Sequence, residues 1–199
     1  MTINHVVALV MAAGYSRRFG EQDKRRALLA DGRPLLTASA THAQLVFPQL
    51  RVVIRDEDDP ASLGLTDDMP LIRVHQAHRG LGTSLAEAMA VVARDPLLES
   101  AIAVAILLGD MPCLQHETLR TLKQQATHDT IWRPSHAGQP GHPVVFGRAF
   151  WPELTTLSGH LGAKALIQRH AAHYRTHEVQ DAGTLMDIDA PEDIAHQGR

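Results

Sequence analysis

Short unbroken apolar runs alternate along the chain with longer stretches whose apolar residues recur at three- and four-residue spacing. The run 6–11 (VVALVM) passes at once into Ala-Ala-Gly, the pattern of a strand buried on both faces that ends in a tight turn. Residues 50–54, 71–74 and 101–108 read the same way, and 35–45 and 84–92 carry the helical period between them. Connections of that length suit strand, helix, strand crossovers in a parallel sheet. Beyond Asp110 the pattern predicts a helix over 116–125, a Gly/Pro-rich loop over 135–142, a short strand over 143–146 and a helix over 162–170. A last strand is predicted over 184–188, followed by a helix opening at Pro191, where proline in the first turn forfeits no hydrogen bond. The expectation is one α/β domain over 1–199, three layers deep, with a mostly parallel mixed sheet.

Composition narrows the function classes. With 44% hydrophobic residues in 199, the chain can bury a sizeable core, and 19 basic against 22 acidic side chains give a net charge of -3. That balance offers no global field for nucleic acid or an anionic membrane, so neither is expected as a partner. Cys113 is the single cysteine, which excludes an intrachain disulfide, a zinc ribbon and a redox CxxC, and fits a reducing compartment. The first apolar run is too short to span a bilayer and lacks a charged leader, so a cytoplasmic protein is expected. Among thirteen histidines, His170 and His173 have helical spacing but no evident third ligand, and read as surface residues.

In an open α/β sheet ligands bind beyond the carboxyl ends of the strands, and four segments lie there. The first is Met11-Ala12-Ala13-Gly14-Tyr15-Ser16-Arg17-Arg18, with Lys24, Arg25 and Arg26 behind it. Small residues let backbone N–H groups approach an anion, and the basic side chains suit a polyphosphate; a tight turn before a solvated basic helix is the plainer alternative. It is neither a Walker A loop nor a GxGxxG fingerprint. The second is Gly109-Asp110-Met111-Pro112, which sets a carboxylate at the end of a buried strand. Asp110 there suits Mg2+, or else caps a helix beginning near Pro112. In the third, Asp187 and Asp189 would share one face of the predicted last strand, either able to complete a metal site with Asp110, or Asp189 to cap the following helix. The fourth comprises Arg79-Gly80-Leu81-Gly82-Thr83-Ser84 and Gly138-Gln139-Pro140-Gly141-His142, Gly-rich turns that bring backbone near a ligand or simply connect elements. His142 is the side chain there suited to contact a substrate.

Taken in order, these segments resemble the MobA-like nucleotidyltransferases, particularly the branch that includes molybdenum cofactor cytidylyltransferases. The resemblance runs nearly the whole chain: AAGYSRRFG is similar to the family's AAGxSxRxG loop, HRGLGTSL to its nucleotide-contacting turn, LLGDMP to its GDxP, GQPGHPVVF to its GHPVxF, and SGHLGAKALI and MDIDAPED to its closing motifs. It implies a Rossmann-like nucleotide-diphospho-sugar transferase (GT-A-like) fold. The reaction it implies is Mg2+-dependent transfer of a nucleotidyl group, CMP from CTP, to the terminal phosphate of the molybdopterin cofactor, with release of pyrophosphate. On that resemblance Ala12, Ala13, Gly14 and Ser16 cradle the triphosphate, Arg18 and Lys24 stabilise developing charge, Gly82 and Ser84 touch the nucleoside, Asp110 and Asp187 hold the metal, and His142 meets the acceptor. Lys24 or Arg25 stands for the family's lysine, and Gly159-His160 replaces a frequent Gly-Asp. Tyr15, where guanylyl-transferring relatives carry a second glycine, leans toward CTP. The competing readings are a GTP-using or sugar- or alditol-phosphate transferase of the same fold, and a nucleotide-binding partner that delivers cofactor to a molybdoenzyme without turnover. A molybdoenzyme or its chaperone is the protein partner the resemblance implies.

Overall fold

A computed structural model describes residues 5–15, 23–188 and Asp193. The parallel heart of the sheet is β1 (Val6–Met11), β2 (Leu50–Arg55), β3 (Leu71–Val74) and β4 (Ala103–Leu108), ordered β3-β2-β1-β4. Each of β1's side chains is buried, and alternation splits them between two cores. Val6, Ala8, Val10 and Ala12 pack with α1 (Leu35–Gln44) and α3 (His116–Gln125), through Leu36, Ala40, Leu119 and Leu122. Val7, Leu9, Met11 and Ala13 pack on the other face with α2 (Leu81–Val92), α4 (Trp151–Leu154) and α5 (Lys164–Arg169). Helices on both faces give the three-layer α/β architecture expected from the sequence.

The second half is antiparallel at first. β7 (Val144–Gly147) runs against β4, and β5 (Ile131–His136) against β7 and the two-residue β6 (Gln139–Pro140). The outermost strand is β8 (Tyr174–Glu178), parallel to β5 from Ile131↔Tyr174 to Ser135↔Glu178. This corrects the expected last strand at 184–188, because that segment is a single 3-10 turn, Ala182–Leu185, followed by extended chain. The turn has local causes: Asp181 accepts from the Gly183 N–H at 3.0 Å and its carbonyl accepts from the Thr184 hydroxyl at 2.8 Å. Gly183 also lies flush against the Cys113 carbonyl, where a side chain would collide. The 184–188 backbone bonds to loops instead, Thr184 O accepting from His142 N and Ile188 N donating to Asp110 O. Of the two histidines read as surface residues, His173 is exposed and His170 half-buried, its Nε2 2.6 Å from Glu153 and its ring edge-on to Phe150. The helix expected at Pro191 lies outside the described residues.

Candidate active site

The strand order reverses at the β1–β4 boundary, which places the ends of these two strands at the crevice where doubly wound sheets bind ligands. Two segments meet there. From β1 come Ala12, Ala13, Gly14 and Tyr15; from β4 come Gly109 and Asp110, and the Gly109 N–H donates to Met11 O at 3.0 Å. Gly109 allows this approach, since a Cβ there would lie 2.9 Å from Leu36 and 3.1 Å from Ala12.

Asp110 does not cap a helix, because α3 begins at His116 and the backbone N–H of Gln115 is taken by Asp181 at 2.9 Å. One carboxylate oxygen of Asp110, Oδ2, is 2.6 Å from Lys24 Nζ. The other, Oδ1, is buried and has no hydrogen-bond partner among the described residues. Burial pushes the carboxyl above the usual range, Lys24 draws it back, and Asp187 adds to the rise. Asp187 is exposed on the extended segment after the 182–185 turn, near enough to act on Asp110 electrostatically. A buried carboxylate oxygen without a donor, beside a second carboxylate, is the chemistry of a site for a hard divalent cation, which needs only one or two protein carboxylates. No set of three or more His, Cys, Asp or Glu side chains suited to a metal exists among the described residues.

Lys24 and Arg25, interchangeable in the sequence, have separate places. Lys24 reaches Asp110 and donates to Ile188 O at 2.8 Å. Arg25 turns inward, to Asp23, Asp58 and the Ala12 carbonyl. Ala12 is therefore fully used by the protein, its N–H bonding Val53 O and its carbonyl accepting from Arg25. The Ala13 and Gly14 N–H groups have no partner among the described residues, and both residues line a cleft of about 370 Å³ with Tyr15, His78, Ser84 and Asp110. Ser16 and Arg18 lie outside the described residues.

The far wall of the cleft is the turn entering α2. Gly80 (φ +108°) and Gly82 are required there by a neighbouring loop: a Cβ on Gly80 would meet His160 Nδ1 at 2.6 Å, and one on Gly82 would meet Ser158 O at 2.8 Å. The Gly82 N–H donates to Gly159 O, and the Gly159 N–H to Thr83 Oγ1. Gly82 thus faces the 158–160 loop, while Ser84, buried, faces the cleft.

His142 lies across Leu81 and Leu108, in a second cavity of about 580 Å³ that shares those two residues with the first. Its walls are chiefly Leu85, Ile106, Val144, Phe146 and Ile167, with Arg133, Lys164 and Tyr174 supplying polar atoms. Burial, reinforced by Arg133, lowers the His142 pKa to about 4, so the ring is neutral at pH 7, and its Nδ1 has no partner among the described residues. Sequence reasoning missed Arg133, and missed Asp58 as the partner of Arg25; both come from segments that carry no motif and are brought in by the fold. His78 and His160 stand in segments that the sequence did single out, HRGLGTSL and SGHLGAKALI, but neither was assigned to the cleft they line.

A doubly wound sheet with a small-residue loop, an aspartate and a lysine at its switch point is the architecture of a nucleotide-binding α/β protein. Residues 8–174 match the family model of the MobA-like NTP transferase domain, and the chain belongs to that family of nucleotidyltransferases. It is similar to the solved Rv0371c protein of Mycobacterium tuberculosis H37Rv, at 27% identity and a TM-score of 0.80 with 98% of each chain covered. A structure of Rv0371c in complex with manganese aligns at 24% identity and a TM-score of 0.77, again with 98% of each chain. The Rv0371c homolog of Mycobacterium sp. strain JC1 is 29% identical at a TM-score of 0.80, covering 97% of this chain and 94% of its own. A CMP:2-keto-3-deoxy-manno-octonic acid synthetase complexed with CTP shares the fold at 14% identity and a TM-score of 0.71, with 96% and 95% covered. No curated protein sequence matches the chain.

Proposed function

We propose that the protein is a molybdenum cofactor cytidylyltransferase, moving CMP from CTP to the terminal phosphate of the molybdopterin cofactor and releasing pyrophosphate. The observation that carries this reading is the Asp110 carboxylate, which lines the first cleft with Lys24 on one oxygen and, among the described residues, no partner on the other.

The Ala13 and Gly14 N–H groups face the triphosphate, with Ser16 and Arg18 completing the cradle as the family motif implies. Ala12 holds that loop to the sheet through both of its backbone groups. Ser84 contacts the nucleoside, and Gly82 serves that contact by letting the 158–160 loop close on the turn. Asp110 and Asp187 hold the divalent cation, Mg2+, in keeping with the manganese bound by a solved relative. When bound, the cation supplies positive charge against the triphosphate and the developing pyrophosphate. Lys24, released from Asp110, donates to a phosphate oxygen, and the acceptor phosphate is aligned behind the α-phosphorus, so that positioning and charge neutralisation do most of the catalysis.

The second cavity, mainly apolar with Arg133, His142 and Lys164 among its polar groups, favours an acceptor with a flat ring-bearing body and a polar edge over a sugar or alditol phosphate, which has no apolar face to lay against those walls. His142 offers a neutral ring nitrogen to the edge of that body. A mere delivery partner would have no use for a buried Asp110–Lys24 pair, which speaks for turnover. We place the protein in the cytoplasm, with a molybdoenzyme or its chaperone receiving the product; no helix among the described residues is long and apolar enough to cross a membrane.

The test is pyrophosphate release with each of CTP, GTP, ATP and UTP, with Mg2+ and the molybdenum cofactor or sugar and alditol phosphates. Release with CTP and the cofactor is expected. Release with a sugar phosphate alone, or nucleotide binding without release, would overturn the assignment.

A further inference from the structure

Arg25 is a buried guanidinium with every donor engaged. Nε bonds Asp23 Oδ1 at 2.9 Å, and Nη2 bonds Asp23 Oδ2 at 2.6 Å and Asp58 Oδ1 at 2.8 Å. Nη1 bonds Asp58 Oδ2 at 2.6 Å and the Ala12 carbonyl at 2.8 Å. Its side chain is 5% exposed and that of Asp58 6%. Asp58 in turn accepts from the Arg55 backbone N–H at 2.8 Å, and from Arg55 Nε and Nη2 at 3.0 and 2.8 Å. The fork therefore ties three places together: the end of β1, the end of β2, and the 3-10 turn Lys24–Arg26.

A buried ion cluster is a poor way to gain stability, since apolar residues of similar volume serve as well or better. Its geometric content is the informative part. Lys24, the next residue, is the one whose ammonium reaches Asp110. Ala12, held through its carbonyl, leads directly into the Ala13–Gly14 backbone that lines the cleft. The β2 end is joined to the same loop again, with Arg55 4.7 Å over the Tyr15 ring and the Tyr15 hydroxyl donating to Glu57 at 3.3 Å.

We propose that Arg25, locked by Asp58, is a positioning residue: it fixes the Lys24–Arg26 turn on the ends of β1 and β2, so that Lys24 is aimed at Asp110 and the Ala13–Gly14 backbone at the nucleotide. This rests on the reading of Lys24 and Asp110 as the charge centre of nucleotidyl transfer. Arginine is needed because only its planar fork meets two carboxylates and a carbonyl together; lysine at 25 keeps the charge and loses the geometry.

Three variants test it: Arg25→Lys, Arg25→Ala, and Arg25→Met combined with Asp58→Leu, which removes both buried charges and leaves Asp23 with Arg55. Each is expected to lower kcat for pyrophosphate release by about 10- to 100-fold, with a smaller rise in KM for CTP. The paired variant should melt near the wild type yet stay slow, and guanidinium ion should partly restore kcat in Arg25→Ala alone. Acylation of Lys24, followed by mass spectrometry without substrates, should speed up in all three as the ammonium leaves Asp110. Wild-type kcat in the paired variant, or Lys24 labelling unchanged in every variant, would overturn the proposal. If the wild type transfers nothing while Lys24 labelling rises in the variants, the functional reading fails and the positioning role stands.

Discussion

A carboxylate buried at the end of a strand is unfavourable by itself, and at residue 110 one oxygen has Lys24 while the other has no partner among the described residues, which on the proposed function is the place of the cation. Asp110→Asn should therefore lower pyrophosphate release by about 10²- to 10³-fold or more while the protein stays folded, as steady-state kinetics beside thermal melting would report. A residual rate close to wild type would mean that the charge centre lies elsewhere. His142 gives a pH prediction of definite sign. Its folded-state pKa of about 4 lies below the ordinary 6.5, so the unfolded chain binds the proton more readily. Stability is whole above roughly pH 6.5 and is lost as pH falls toward about 4, by up to about 3 kcal/mol. Urea midpoints should fall more steeply over that range for the wild type than for His142→Gln. Asp110 was legible in the sequence because a Gly-Asp directly after an apolar run sets a carboxylate where only a cation or a hydrogen-bond donor can compensate its burial. The division of labour between Lys24 and Arg25 was not, since it depends on Asp58, which is remote in sequence and carries no motif.

Among the elements, the strands buried on both faces and the long helices announced themselves through hydrophobic period. β8 did not: Tyr174–Glu178 is an edge strand of mostly polar, partly exposed residues, held by its backbone ladder to β5. The 184–188 segment misled for the opposite reason, because its apolar residues bury in a turn and an extended tail whose backbone partners are loops. The glycines of the α2 turn suggest, in sequence, a service to the nucleotide, and their first duty is to admit the 158–160 loop. Gly82→Ala should accordingly cost about 1–3 kcal/mol by overpacking, and raise the KM for CTP as His160 shifts in the cleft. A variant with wild-type melting temperature and KM would show that this loop yields freely.

At the scale of the molecule, strand order does most of the work. Reversal between β1 and β4 opens one crevice, and the antiparallel β4–β7 pairing builds a second cavity beside it, the two sharing Leu81 and Leu108 as a common wall. The first half was legible because parallel strands repeat one pattern. The second cavity was not, because its lining is gathered from β4, β7, α2 and α5 and from single residues such as Arg133. Its apolar walls carry a prediction about substrates: at equal concentration the molybdenum cofactor should accept CMP at least about tenfold faster than ribitol or glucose phosphate, by kcat/KM. The most direct test of the account follows the α-phosphorus itself, using CTP labelled at that position with Mg2+ and the molybdenum cofactor. The label should appear on the cofactor's terminal phosphate, with unlabelled pyrophosphate released. Label left in CTP, or carried to a polyol phosphate in preference to the cofactor, would contradict it.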